Sequence, residues 1–259
     1  MKIHLINLES SIDRLQFMDR QLKKINRSYE LFAAVDGRRV SQNILDSYVD
    51  LVEIRKYPNW MTPGAIGCAL SHYFLYQKIA TLYKGWNLIL EDDILLNSNI
   101  NELIDKIDSL DVSYSNTVIL LYSQSNFGEI QLRKKININS KNYSIHSFAD
   151  IKTAIGTGAY FIHSDVALEF TNRIRKIFVA SDSWDVFFNE KIFTDLCCTF
   201  PFAAKPAMFK STIGYGRDSN SSSSYTFKLL VMVSNKLRNL SFSRRVISLI
   251  NGRYNVTFK

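Results

Sequence analysis

Cysteine is scarce in this chain: there are three, Cys68 and the adjacent Cys197 and Cys198. An odd number without metal-knuckle spacing excludes a disulfide framework, and a reducing cytosolic setting is the expectation. Long apolar runs are also missing. No uninterrupted stretch reaches the ~18 residues that a membrane-spanning helix needs. The opening Lys2 to Leu8 has a strand pattern, not a basic region followed by an apolar leader, so no export signal is expected. Acidic residues are almost absent from the C-terminal part, where ten Lys or Arg from Lys205 onward face only Asp218. Of the 32 basic and 24 acidic residues, 22 and 23 fall in the first 204, so the net charge of +8 belongs to the tail. A near-neutral body excludes nucleic acid as its main partner, because phosphate-backbone affinity requires a basic surface there. What remains is a chain with 46% hydrophobic and 13% aromatic residues, enough for one good core.

Ile3 to Leu8 reads as a strand, followed by a helix to Lys24 that Ser10 or Ser11 can cap. Tyr29 to Val35 is a second extended run, ending at the turn signal Asp36-Gly37. Pro58 and Pro63 bracket a loop, and Thr62-Pro63 forms an N-cap and first-turn pair for a helix from Gly64 to Tyr83. Further strands are expected at Thr117 to Tyr122 and Ala159 to Ile162, with a helix from Asp165 to Phe178. Strands alternating with helices imply an α/β fold with a mostly parallel sheet. The Ser-rich stretch 216–224 is read as a linker or loop between a body, 1–215, and a tail, 225–259. In the tail Leu230, Val233, Leu237 and Leu240 follow helical spacing, and Val246, Ile247 and Ile250 resume an apolar face among basic residues. Such a basic amphipathic helix either lies on an anionic membrane surface or packs on its own domain.

The segment Trp86 to Ile94 ends an apolar strand in Glu91, Asp92 and Asp93. Adjacent carboxylates repel unless a positive charge sits among them. Alternate side chains of an extended segment share a face, so Glu91 and Asp93 are expected to point together and suit one divalent cation, with Asp92 pointing away. Hard oxygen ligands at a strand's carboxyl end favour Mg²⁺ or Mn²⁺ with a phosphate-bearing substrate. The alternative is a solvated acidic turn.

Four motifs stand in order: Ile6-Asn7-Leu8 with Asp13-Arg14, then Ala34-Val35-Asp36-Gly37, then Gly64-Ala65-Ile66-Gly67-Cys68-Ala69-Leu70-Ser71-His72, then Leu90-Glu91-Asp92-Asp93. Together they resemble glycosyltransferase family 25, the bacterial lipooligosaccharide galactosyltransferases and their collagen-modifying relatives. The resemblance is strong over residues 1–95 and continues in Gly156-Thr157-Gly158-Ala159-Tyr160 and Asp182-Ser183-Trp184-Asp185. It implies a single-domain Rossmann-like fold of the GT-A type and a transferase for nucleotide-diphospho-sugars, usually UDP-galactose, that builds surface glycolipid. It also implies that the triplet stands where an Asp-x-Asp motif binds metal. Asp93 is then the ligand, and Glu91 either a further ligand or a contact to ribose or a metal-bound water.

Under that resemblance Asn7 and Arg14 lie where base, ribose or phosphate binds in doubly wound sheets, and Arg14 suits a diphosphate. Asp36 is either a base or ribose contact or an ordinary Asp-Gly turn. His72 either faces the donor cleft or is a satisfied structural group. Asp92 either accepts a hydrogen bond from a sugar hydroxyl or stabilises the turn. Inverting transfer needs a general base; Asp182 and Asp185 are the candidates, expected at i and i+3 on one helix face beside Trp184, whose ring offers a stacking surface for a sugar, unless Ser181 or Asp182 only caps the start of that helix. The resemblance favours Asp185, which stands before the apolar pair Phe187-Phe188 as an aspartate of the family does, and Glu190 is a further candidate. The expected activity is metal-assisted hexosyl transfer from a UDP-sugar to a lipooligosaccharide hydroxyl, by a peripheral protein on the inner face of the cytoplasmic membrane. The alternatives are a metal-dependent phosphoester hydrolase and a non-catalytic membrane or glycolipid-binding protein.

Overall fold

The apolar residues of Ile3, Leu5 and Ile6 and of Leu88, Ile89 and Leu90 run without alternation because both faces of their strands are covered. The computed structural model describes residues 1–56, 60–124, 129–210, 213–214, 246–248 and 255–258. Strand β1 (Lys2–Asn7) leads into helix α1 (Ile12–Lys24), which buries Arg14, Met18 and Leu22 along one stripe. Ser11 is at its N-cap position, but its hydroxyl makes no cap bond. Strand β2 (Glu30–Ala33) is followed by the short helices α2 (Gln42–Tyr48) and α3 (Leu51–Ile54). Helix α4 (Pro63–Leu82) starts where the sequence indicates: Thr62 Oγ1 accepts from the Ala65 amide at 3.2 Å, with Pro63 in the first turn.

Strand β3 (Trp86–Glu91) carries the acidic triplet at its end; β4 (Ile94–Leu96), α5 (Ile100–Asp108) and β5 (Thr117–Leu120) follow. Then come β6 (Glu129–Ile136), β7 (Ser144–Phe148), β8 (Ala159–His163), α6 (Ser164–Arg173), α7 (Trp184–Asn189), β9 (Asp195–Phe200), β10 (Ala204–Pro206), β11 (Val246–Ser248) and β12 (Asn255–Phe258). Ten strands form one sheet in the order β11-β12-β6-β7-β9-β5-β8-β3-β1-β2, while β10 and β4 form a small antiparallel ribbon. Seven strands of the large sheet run one way, and β7, β8 and β11 run against them. The sheet is therefore mostly parallel, as the sequence implies.

Helices cover both faces. On one, Leu70, Leu75 and Ile79 of α4 meet Ile89, Tyr160, Ile162 and Phe170; on the other, Met18, Leu22, Leu103 and Ile107 meet Leu88, Leu90 and Phe161. The helix read as Asp165 to Phe178 stops at Arg173, because Ile177 leaves it to pair with the end of α2: its amide donates to Tyr48 O, and its carbonyl accepts from Asp50 N. Strands β6, β7, β9 and β12 are not among those expected from the sequence: β12 alternates but is only four residues long, β6 alternates only as far as Arg133, and β7 and β9 have no clean two-residue alternation. Cys197 and Cys198 are fully buried within β9, on opposite faces of the sheet. The loop residue Pro58, the linker 216–224 and most of the tail lie outside the described residues. The described parts of the tail are strands and not helix: Ile247 pairs with Val256 in β12, and β12 runs parallel to β6. Among the described residues no helix is long and apolar enough to cross a membrane.

Two glycines bring the second and third motifs into contact. A Cβ on Gly37 would lie 1.7 Å from the Pro63 carbonyl oxygen, and one on Gly67 would lie 2.5 Å from Val35 O and from the Gly37 amide. The turn after β2 thus presses directly on the first turns of α4. Gly37→Ala and Gly67→Ala should each destabilise the fold by about 1–3 kcal/mol, the usual range for overpacking against backbone that cannot move aside. Thermal or denaturant unfolding measures this, and unchanged midpoints in both variants would refute the contact's structural role.

Candidate active site

The carboxyl ends of β1 and β3 lie side by side, with Ile6 paired to Glu91. Beyond that register Asn7 and the acidic triplet emerge together. Asp92 is buried and doubly held: Asn7 Nδ2 donates to its Oδ2 at 2.8 Å, and Arg14 Nη1 to its Oδ1 at 2.9 Å. Arg14 Nη1 also reaches Asp93 Oδ2 at 3.2 Å, while its Nη2 donates to the Lys210 carbonyl at 2.6 Å. The Phe209 ring covers the guanidinium at 5.2 Å. Asn7 uses its second amide hydrogen on the Ser11 carbonyl, 3.1 Å away. These internal contacts account for the burial of Asn7 and Arg14.

Glu91 is fixed differently. Its Oε1 accepts from Thr157 Oγ1 at 2.8 Å and lies 3.1 Å from His72 Nε2. His72 is buried, and its Nδ1 lies 2.7 Å from the Tyr160 hydroxyl, which in turn lies 2.6 Å from that of Tyr76. Burial pushes the Glu91 carboxyl up, but His72, Thr157 and Arg14 together bring it below its ordinary value. For Asp93 the balance is opposite: burial and then the charge of Glu91 push its pKa up to about 6 against the pull of Arg14. Burial also raises Asp92, despite Arg14 and Asn7. One guanidinium therefore serves two of three neighbouring carboxylates, and Asp93, with 30% of its side chain exposed, is the most accessible.

All three carboxylates, with Arg14, Asp36 and His72, line a cleft of roughly 680 Å³ that is partly open to solvent. Hard oxygen donors carrying more negative charge than the protein neutralises are the chemistry that suits Mg²⁺ or Mn²⁺, so Asp93 and Glu91 fit such an ion. Asp92 also reaches the cleft, where alternation along β3 would point it away: the strand ends at Glu91, and Asp92 and Asp93 belong to the turn. Asp36 sits on the cleft wall, and its Oδ1 accepts from the Arg38 amide at 3.0 Å, closing an Asx turn.

The two base candidates separate. Helix α7 begins at Trp184, so Asp182 precedes it and does not share a helix face with Asp185 as the spacing suggested. Burial raises the Asp182 carboxyl, and the charge of Glu91 adds to the effect. Asp185 lies in the first turn of α7, partly exposed, and no described contact joins it to the triplet. Trp184 offers no face to a sugar: it is fully buried against Tyr160, Phe187 and Phe193, with Nε1 donating to the Gly156 carbonyl at 3.1 Å. Thr157 and Tyr160 stand within a motif of the sequence but carry no role there, and Ser181, a candidate cap by sequence, is not the N-cap of α7, which is Ser183; all three instead contact the side chains around Glu91 and His72.

The family model described as "Glycosyltransferase family 25 (LPS biosynthesis protein)" matches residues 1–184. A protein of Acanthamoeba polyphaga mimivirus named "Putative glycosyltransferase" is 31% identical over 176 residues, 66% of this chain and 52% of its own. A procollagen galactosyltransferase of Xenopus laevis is 31% identical over 97 residues, 36% of this chain and 16% of its own. A lipooligosaccharide biosynthesis protein of Haemophilus influenzae is 24% identical over 114 residues, 44% and 41% of the two chains. The chain thus spans about half or less of the length of these relatives.

Removing the shared cation should expose the site's electrostatic strain. Arg14→Ala leaves Asp92 buried without a cation, a change that costs about 3–5 kcal/mol in comparable buried pairs. Denaturant unfolding should show that loss, and adding Asp92→Asn should recover part of it. Additive effects of the two substitutions would mean that the pair does not act as a unit.

Proposed function

The chain belongs to glycosyltransferase family 25, and on that premise we propose that it moves a hexose, galactose by preference, from a UDP-sugar to a hydroxyl of a lipooligosaccharide acceptor. The observation that carries this reading is the charge arrangement at the cleft: three carboxylates and one guanidinium at the carboxyl ends of β1 and β3. The relatives' names supply the finer expectation, galactose from the Xenopus protein and lipooligosaccharide from the Haemophilus one.

A UDP leaving group gathers negative charge as the glycosidic bond breaks, and a fixed positive charge must meet it. Mg²⁺ or Mn²⁺ held by Asp93 and Glu91 supplies that charge when bound. Arg14 is committed to Asp92 and Asp93, so it acts by holding the turn that presents Asp93. His72 and Thr157 hold Glu91 in one orientation. Asp36, on the cleft wall, is assigned to base or ribose. A carboxylate then takes the acceptor proton as the hydroxyl attacks opposite the diphosphate, with inversion. In place of Asp185, Asp182 is favoured for this step, because the adjacent Ser181 contacts Thr157, which holds Glu91. The basic residues of the tail are assigned to an anionic membrane surface on the cytoplasmic side, where a lipid-linked acceptor is presented.

With UDP-galactose, Mn²⁺ and a lipooligosaccharide acceptor, the protein should release UDP only when acceptor is present. Asp93→Ala should abolish this, and Asp182→Asn should lower turnover by at least about 100-fold while leaving Mn²⁺ and UDP affinity intact. If Asp185→Asn has that effect instead, the base is Asp185. Mn²⁺ requires ionised Asp93, so its affinity should fall as pH drops through about 6. Phosphate release from simple esters without transfer would favour the hydrolase.

Because Val256 is buried in the sheet core, truncating the tail would disturb the fold as well as its charge. Replacing Arg244 and Arg245 by Glu is the cleaner test: cosedimentation with anionic vesicles should weaken. Unchanged binding would remove the membrane assignment.

A further inference from the structure

Cys68 Sγ, a nitrogen of His72 and a carboxylate oxygen of Glu91 lie within 4.8 Å of one another, and all three residues line the cleft. Cys68 and His72 are four residues apart on α4 and so share a face, while Glu91 comes from the end of β3. This sulfur, nitrogen and oxygen set differs in kind from the all-oxygen pair Asp93 and Glu91. We propose that Cys68, His72 and Glu91 form a second cation site, taking a borderline-soft divalent ion of the zinc class, with its fourth position open to the cleft.

The surroundings of the three donors support the assignment. Each has a hydrogen-bonded neighbour that orients it: Ser181 Oγ lies 3.2 Å from Cys68 Sγ, the Tyr160 hydroxyl 2.7 Å from His72 Nδ1, and Thr157 Oγ1 2.8 Å from Glu91 Oε1. A partner on Nδ1 leaves Nε2 as the nitrogen aimed at Glu91 and at the ion, the arrangement that metal-binding histidines use. Ser181 and Thr157 are themselves 3.2 Å apart, so the outer contacts form one connected set. A tetrahedral ion with ligands at about 2.0–2.3 Å sets its donor atoms about 3.3–3.8 Å apart. The His72 to Glu91 separation of 3.1 Å already lies near that range, and the limit of 4.8 Å on the others requires side-chain ends to close by about 1 Å.

The site shares Glu91 with the donor cleft and leaves Asp93 outside it. Zinc there withdraws the Glu91 carboxylate from a hard cation at Asp93, so the two ions compete for one residue. The inference goes beyond the transferase reading, and its test does not depend on turnover.

The chain, stripped of metal with a chelator, is titrated with Co²⁺ as a spectroscopic substitute for zinc. A near-ultraviolet sulfur-to-cobalt charge-transfer band should grow to saturation at about one equivalent and be removed by Zn²⁺ at concentrations at least about tenfold below those of Mn²⁺ that have the same effect. Cys68→Ser, nearly isosteric, should eliminate the band and weaken Zn²⁺ binding at least about tenfold. If that variant does not fold, His72→Gln should show the same loss of Zn²⁺ affinity. A folded wild-type chain without the band at saturating Co²⁺ overturns the proposal. So does a band that survives Cys68→Ser, which would place the thiolate at Cys197 or Cys198, or full Zn²⁺ affinity in a folded Cys68→Ser or His72→Gln.

Discussion

The charge of Arg14 is the constraint around which the rest of the site is arranged. Three consecutive carboxylates at the end of a buried strand are unstable neighbours, and burial raises two of them above their ordinary range. A single guanidinium bridging Asp92 and Asp93 makes the turn tolerable, but only if it is itself held in place. The Lys210 carbonyl, the Phe209 ring and the stripe of α1 that also buries Met18 and Leu22 do this. Asn7 completes the shell of Asp92 from β1. The first and fourth motifs are therefore two halves of one electrostatic unit, joined by the parallel pairing of β1 with β3.

The second and third motifs form another unit, steric in origin. Gly37 and Gly67 allow two backbones to touch, and the Val35 amide donates to Ser71 Oγ at 2.8 Å across the same contact. Ser71 Oγ also donates to the Gly67 carbonyl. One helical residue further on, His72 reaches Glu91. The glycine contact thus fixes the position of α4 from which His72 meets the acidic turn. Loss of packing at Gly67 would be felt at Glu91, although neither residue touches the other.

Much of this was legible in the sequence where one local signal sufficed. Thr62-Pro63 marked the start of α4 because capping is decided within one turn, and the Ile3 and Trp86 runs marked strands. The triplet was legible as a cation-seeking group because three adjacent charges require an explanation wherever they lie. The roles of individual residues were less so. The face of Asp92 depends on where β3 stops, and Glu91 is its last residue. The surroundings of Trp184 depend on Tyr160, Phe187 and Phe193, which assemble only in three dimensions. The strands of the tail depend on β6, more than a hundred residues earlier.

The antiparallel direction of β8 carries the least obvious consequence for chemistry. In a strictly parallel sheet the segment entering a strand lies at the opposite end from the ligand cleft. Because β8 runs against β3, its entering segment, Gly156 to Gly158, arrives beside the carboxyl end of β3: the Glu91 amide donates to the Gly158 carbonyl at 2.7 Å, and Thr157 reaches the Glu91 carboxylate. Trp184 anchors that segment through the Gly156 carbonyl, which explains why a residue buried away from any ligand lies within a motif of the site. The reversal of one strand places Thr157 against Glu91 and, through its hydroxyl, Ser181 against Cys68. A cleft built only from parallel crossovers would have Asp93, Arg14 and the contact of His72 with Glu91, but no Thr157 to hold Glu91 from the β8 side.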